Sequence, residues 1–230
     1  MRSSKNYPQV IAAATDAKLT DVTCGGAETR HFEGSQYPGV APQLNAVTAD
    51  TDLVTVTIGG NDNFVFAGAV LACGAASVLS GGKGSPCEDT WGKPLRPADR
   101  REDLPGGQDG PPEVKEKAPN ARAVVVGYPW LLQAKTDRSC FVKMPIAEGD
   151  VPYLRSMQGH MNEILERAAN ETGAAYADMA DASEGHDACR PRATRWVEPA
   201  FFCDQLNPVH PNALGESKMA GQAMRALNIG

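Results

Sequence analysis

The stretch Leu53-Val54-Thr55-Val56-Thr57-Ile58-Gly59-Gly60-Asn61-Asp62 decides the fold. Its first six residues are uncharged and rich in β-branched types, which is the pattern of a buried strand, and the Gly-Gly pair closes that strand into a sharp turn. A second run of the same kind, residues 121–126, ends at Gly127-Tyr128-Pro129, and a shorter one covers residues 174–178. Residues 19–23, ahead of Cys24-Gly25-Gly26-Ala27, read as a further strand. Helical spacing fills the intervals. Residues 7–18 carry Val10, Ile11 and Ala14; residues 151–172 place Leu154, Met157, Met161, Ile164, Leu165 and Ala168 on one face; residues 211–227 form the last helix, with Pro211 and Asn212 near its start. Strands alternating with helices predict a mostly parallel sheet covered on both faces, a three-layer α/β/α arrangement. Residues 80–112 are the exception, being rich in Gly, Pro and charge. A helix there either shrinks to residues 113–117 or is missing, because an interior proline costs about 3 kcal/mol.

A length of 230 residues with 42% hydrophobic content is enough for one core, so a single domain over residues 1–230 is expected. The net charge of −6 gives no long-range attraction to nucleic acid or to an anionic membrane. No apolar run is read as approaching the roughly 18 residues that span a bilayer, and the N-terminus lacks a signal-like basic stretch followed by an apolar one. The six cysteines, Cys24, Cys73, Cys87, Cys140, Cys189 and Cys203, show no zinc-ligand spacing. They are compatible either with disulfides of an oxidising compartment or with buried free thiols. No metal or cofactor motif is present.

The chemistry lies in three short blocks. Asn207-Pro208-Val209-His210-Pro211-Asn212 offers His210 as a general base, although a lone histidine can equally be structural. Asn61 follows the buried strand, and its side-chain NH₂ could donate to a developing oxyanion or simply cap the next helix. Gly26 lies in a turn and could supply a backbone donor or serve the turn alone. No Gly-x-Ser-x-Gly elbow occurs.

In order and approximate spacing, these blocks resemble the SGNH (GDSL) hydrolases, in particular secreted actinobacterial lipases and esterases. The resemblance implies a flavodoxin-like α/β/α sheet and hydrolysis of lipid or small acyl esters through a serine acyl-enzyme, without metal or cofactor. Gly26 and Asn61 then form the oxyanion hole and His210 is the base. The family commonly has Asp three residues before the histidine; here Asn207 occupies that place, and a main-chain carbonyl near it is expected to orient the ring. His186 and Trp196 fall at segments near the family's site, as pocket residues or, for Trp196, as core. The pairs Cys73–Cys87 and Cys140–Cys189 match family disulfides, leaving Cys24 and Cys203 over, and they imply secretion. The partner implied is a small-molecule or lipid ester, acted on by a monomer.

The family's Gly-Asp-Ser block has no counterpart in the sequence. The expectation is therefore a chain that starts downstream of the first strand and its serine, and the alternative is a non-catalytic relative that keeps the pocket. Ser3 and Ser4 match positions beyond the family's serine and read as solvated residues.

Overall fold

A computed structural model describes residues 3–92, 112–135, 138–205 and 207–229. Much of the Gly-, Pro- and charge-rich stretch 80–112, residues 93–111, lies outside them. Three strands form a parallel sheet in the order β1-β2-β3: β1 is Leu53–Val56, β2 is Arg122–Val126 and β3 is Ala175–Ala177. Leu53 aligns with Arg122 and Val56 with Val125, while Val124 aligns with Ala175. Among the described residues β1 has a strand on one side only, and its four residues are all half-buried.

The middle strand shows why the sheet is covered twice. Val124 and Val126 point to one layer, with Tyr7, Ile11, Met219, Ala223 and Leu227. Val125 points to the other, with Leu165 and Ala169. The first layer is α1 (Tyr7–Thr15) and the last helix, Ala213–Leu227; the second is the long helix Asp150–Thr172. Full burial of each valine stabilises the sheet by about 1.5–3 kcal/mol. Between β1 and the long helix come α2 (Val65–Leu79), α3 (Pro86–Trp91) and α4 (Pro112–Lys117), so the long helix is α5; Met179–Ala182 is α6 and Ala213–Leu227 is α7. The short α4 is the reduced form of the helix expected at residues 113–117.

A second core joins α2, α3 and the start of α5 to the loops at Leu131–Leu132 and Met144–Ile146. It contains both closed disulfides, Cys73–Cys87 and Cys140–Cys189, the pairs the resemblance implies, with Cys24 and Cys203 free. Asp150, fully buried, accepts the backbone N–H groups of Cys87 and Glu88 and so fixes the start of α3. Burial pushes its carboxyl above the ordinary range despite those two bonds.

Three sequence expectations change. Residues 19–23 make no strand: the Asp21 carboxylate accepts the Thr23 N–H and hydroxyl at 2.9 and 2.7 Å and the Asn6 amide at 2.9 Å, a local turn that replaces a ladder. The first helix stops at Thr15 because Asp16 turns left-handed (φ 54°). Finally, Asp62–Leu79 is an 18-residue stretch of mean hydropathy 1.6, long and apolar enough by length and composition to cross a bilayer. Asp62 and Asn63 at its start, with Gly68, Gly74 and Ser77 inside, break up what would read as an apolar run. Its inner face is fixed to the second core through Ala69 and the Cys73–Cys87 bond, while Leu71, Val78 and Leu79 face outward.

Candidate active site

The turn after β1 carries Asn61. Thr57, at the C-terminal end of β1, lies 3.1 Å through its hydroxyl from the Val126 carbonyl at the end of β2 and 3.2 Å from the Tyr7 hydroxyl. Gly60 follows, its N–H donating to the Tyr128 hydroxyl at 3.0 Å. A Cβ at Gly60 would sit 2.9 Å from the Tyr128 ring, so only glycine fits under that ring. Burial raises the Tyr128 hydroxyl well above the usual tyrosine range and keeps it protonated.

The Asn61 side chain does not cap the following helix. Its Nδ2 donates to the Ala27 carbonyl at 3.3 Å, which sets the amide against the turn holding Gly26 (φ 75°). An amide nitrogen has two N–H groups, so one stays available to a ligand. Asp62 locks the two turns together, accepting the Thr29 N–H at 2.9 Å and the Thr29 hydroxyl at 2.8 Å. Burial raises the Asp62 carboxyl, and the Thr29 bonds only partly oppose it. Asn63 and Phe64 are both left-handed (φ 48° and 59°), a concentration of backbone strain at this turn.

His210 is exposed in the turn before α7. Its Nδ1 lies 2.8 Å from the Pro208 carbonyl oxygen. A carbonyl only accepts, so Nδ1 carries the proton and Nε2 presents its lone pair, the state a general base needs. The orienting carbonyl is thus that of Pro208, one residue beyond Asn207. Nothing in the residue types marks Pro208, because any residue has a carbonyl; only the backbone path selects it. That path includes Val209 at φ 56°, a β-branched residue in the left-handed region.

The helix that follows the His210 turn is tied to the end of β1 through a relay of contacts. Glu216, in the first turn of α7, accepts the Tyr7 N–H at 2.7 Å, and Tyr7 reaches Thr57 at the end of β1. The C-terminal edge of a parallel sheet is where α/β folds place their sites.

Trp196, the remaining histidines and several serines are placed as follows. Trp196 is buried in the α1/α7 core, its ring stacked on His186 with centroids 4.4 Å apart, and His186 Nδ1 lies 2.7 Å from the Thr194 carbonyl. His31 is buried and accepts the Glu28 N–H, while His160 faces Glu163 on α5. Ser3 and Ser4 are exposed; Ser77 and Ser183 are buried and accept backbone N–H groups. The sequence reading missed Arg195 and Glu198, a buried pair beside the His210 turn. Their spacing of three was a signal, but not one that distinguishes a buried pair from a surface one.

Comparison with known proteins agrees with this architecture. The GDSL-like lipase/acylhydrolase family model matches residues 1–218. Lipase 2 of Streptomyces coelicolor is 54% identical over 229 residues, covering 100% of this chain and 78% of the relative. Lipase 1 of the same organism is 30% identical over 220 residues, covering 94% and 73%. Among solved structures, phospholipase A1 of Streptomyces albidoflavus superposes with a TM-score of 0.73 at 27% identity, covering 99% of this chain and 86% of that one. The extracellular lipase of Streptomyces rimosus gives 0.67 at 26%, covering 99% and 87%. The chain belongs to the GDSL-like lipase/acylhydrolase family.

Proposed function

We propose that this chain carries the base and oxyanion hole of a secreted carboxylic ester hydrolase that acts on lipid or small acyl esters through a serine acyl-enzyme. The observation that carries the reading is the state of His210: its Nδ1 is engaged by the Pro208 carbonyl, which leaves the Nε2 lone pair to take a proton, while the Asn61 amide is set against the turn holding Gly26. Nε2 would take the proton of the serine hydroxyl as its oxygen attacks the ester carbon. The second Asn61 N–H and the Gly26 backbone N–H would receive the charge on the carbonyl oxygen. His210 would then return the proton to the leaving alcohol, and water would release the acid by the reverse sequence. No orienting carboxylate is required, because the Pro208 carbonyl holds the tautomer.

No Gly-Asp-Ser block occurs within these 230 residues, so this reading assigns none of their serines as the nucleophile. Both disulfides support folding in an oxidising compartment, and the Streptomyces rimosus relative is described as extracellular. The test is labelling by a serine-directed phosphonate together with turnover of p-nitrophenyl esters. The 230-residue chain should give neither, and the chain extended by a Gly-Asp-Ser strand should give both. Labelling of the unextended chain would refute the assignment, as would an extended, folded chain without turnover.

A further inference from the structure

We infer that Glu198 is the positioning residue of the His210 turn: its side chain clamps both ends of that turn and its backbone clamps the middle, holding Val209 in the left-handed conformation that aims the ring at Pro208. This rests on His210 being the base.

Four donors converge on the Glu198 carboxylate, which is 1% exposed. Arg195 Nε and Nη2 bind it at 3.1 and 2.6 Å, the Asp204 N–H at 2.7 Å, and Asn212 Nδ2 at 2.9 Å. Burial alone would raise this carboxyl, but the donors outweigh it and hold it below the ordinary range, so it stays ionised. Two of the four come from either side of His210 in sequence, residues 204 and 212. The backbone closes the middle: the Glu198 N–H donates to the His210 carbonyl at 2.9 Å, and its carbonyl accepts the Val209 N–H at 3.0 Å. Arg195 is held in turn by Asp204 at 2.7 Å. Both flanks of the turn and its middle therefore meet Glu198, while Gln205 adds bonds to the Asn207 and Pro211 carbonyls.

Val209 explains why so much restraint is concentrated here. A β-branched residue at φ 56° persists only where its surroundings over-determine it. The Pro208 carbonyl reaches Nδ1 of a residue two positions on, which an extended backbone does not permit. Released, Val209 would return to its preferred region and carry the ring away from the carbonyl.

The experiment reads the tautomer of His210 in the ¹⁵N-labelled 230-residue chain by long-range ¹H–¹⁵N correlation, with the signal assigned by His210→Gln. The native chain should show mainly the Nδ1–H form. Glu198→Gln puts an NH₂ against donors, and the ratio of Nδ1–H to Nε2–H should fall at least fivefold. Adding Val209→Gly should restore most of it, because glycine takes positive φ freely and needs no clamp. A purely structural Glu198 would give a tautomer ratio unmoved by Glu198→Gln in a folded chain, or a fall that Val209→Gly does not rescue; either result overturns the inference. If Glu198→Gln does not fold, Asn212→Ser keeps a good α7 cap while removing one clamp. That variant should lower the ratio at least twofold, and an unchanged ratio would overturn the inference. None of these readings depends on turnover, so they fail separately from the hydrolase assignment.

Discussion

Glu216→Gln should make the protein more stable at pH 8 and leave it nearly unchanged at pH 5. Glu216 is half-buried, and its Oε2 accepts the Tyr7 N–H at 2.7 Å at the start of α1. That helix terminus favours an anion. Burial and the nearby Asp21 oppose it more strongly, and the carboxyl is raised from 4.5 to about 7. Since the folded protein holds this proton more tightly than the unfolded chain, the stabilisation is complete below about pH 4.5 and is lost as pH climbs toward 7. A shift of 2.5 units at about 1.36 kcal/mol each sets a ceiling of about 3 kcal/mol. The solvent-facing side of the carboxyl reduces this to roughly 2 kcal/mol. Gln keeps an oxygen for the Tyr7 N–H and never ionises. At about 2–4 °C per kcal/mol for a chain of this length, the variant should melt roughly 4–8 °C above the parent at pH 8, in thermal scans followed by circular dichroism. A difference equal at both pH values would refute the reasoning.

Three further outcomes follow from other contacts. Replacing Cys73 and Cys87 together by Ala should cost about 3 kcal/mol, since that disulfide joins residues 14 positions apart; chemical unfolding by urea measures it, and no loss would mean that the unfolded chain gains nothing from the constraint. Gly60→Ala should cost about 1–3 kcal/mol by displacing the Tyr128 ring, and Tyr128→Ala combined with it should cost less than the sum of the two singles. In a serine-containing form of the enzyme, Asn61→Ala should lower kcat by about 10²–10³-fold with a smaller effect on KM; equal losses in binding and turnover would show that the amide serves the ground state.

The sheet and its flanking helices were legible because they rest on repeated local signals. The β-branched run before Gly59 became β1, and the one-sided apolar spacing between Val151 and Thr172 became nearly the whole of α5. The supposed strand at residues 19–23 had the right composition, but a strand needs a neighbour, and Asp21 offered the backbone a local partner instead. At the candidate site the sequence exposed residues whose side chains could act, Asn61 and His210, while Gly26 was legible only through the turn it makes. It hid what acts through the main chain, namely the Pro208 carbonyl and the left-handed Val209. Glu198 was equally hidden, because burial of a charge depends on distant packing that no short window contains.

The bond between Tyr7 and Glu216 joins residues 209 positions apart, and α1 packs mainly on α7. A ribosome therefore delivers the first helix long before its support exists. During synthesis α1 has no face on which to bury Tyr7 and Ile11, and such non-local pairing is a slow step in folding. The α1/α7 layer can close only after residues 213–227 have emerged. A chain cut short before α7 would lose more than one helix: α1 would come free with it, and Val124 and Val126 would be left facing water.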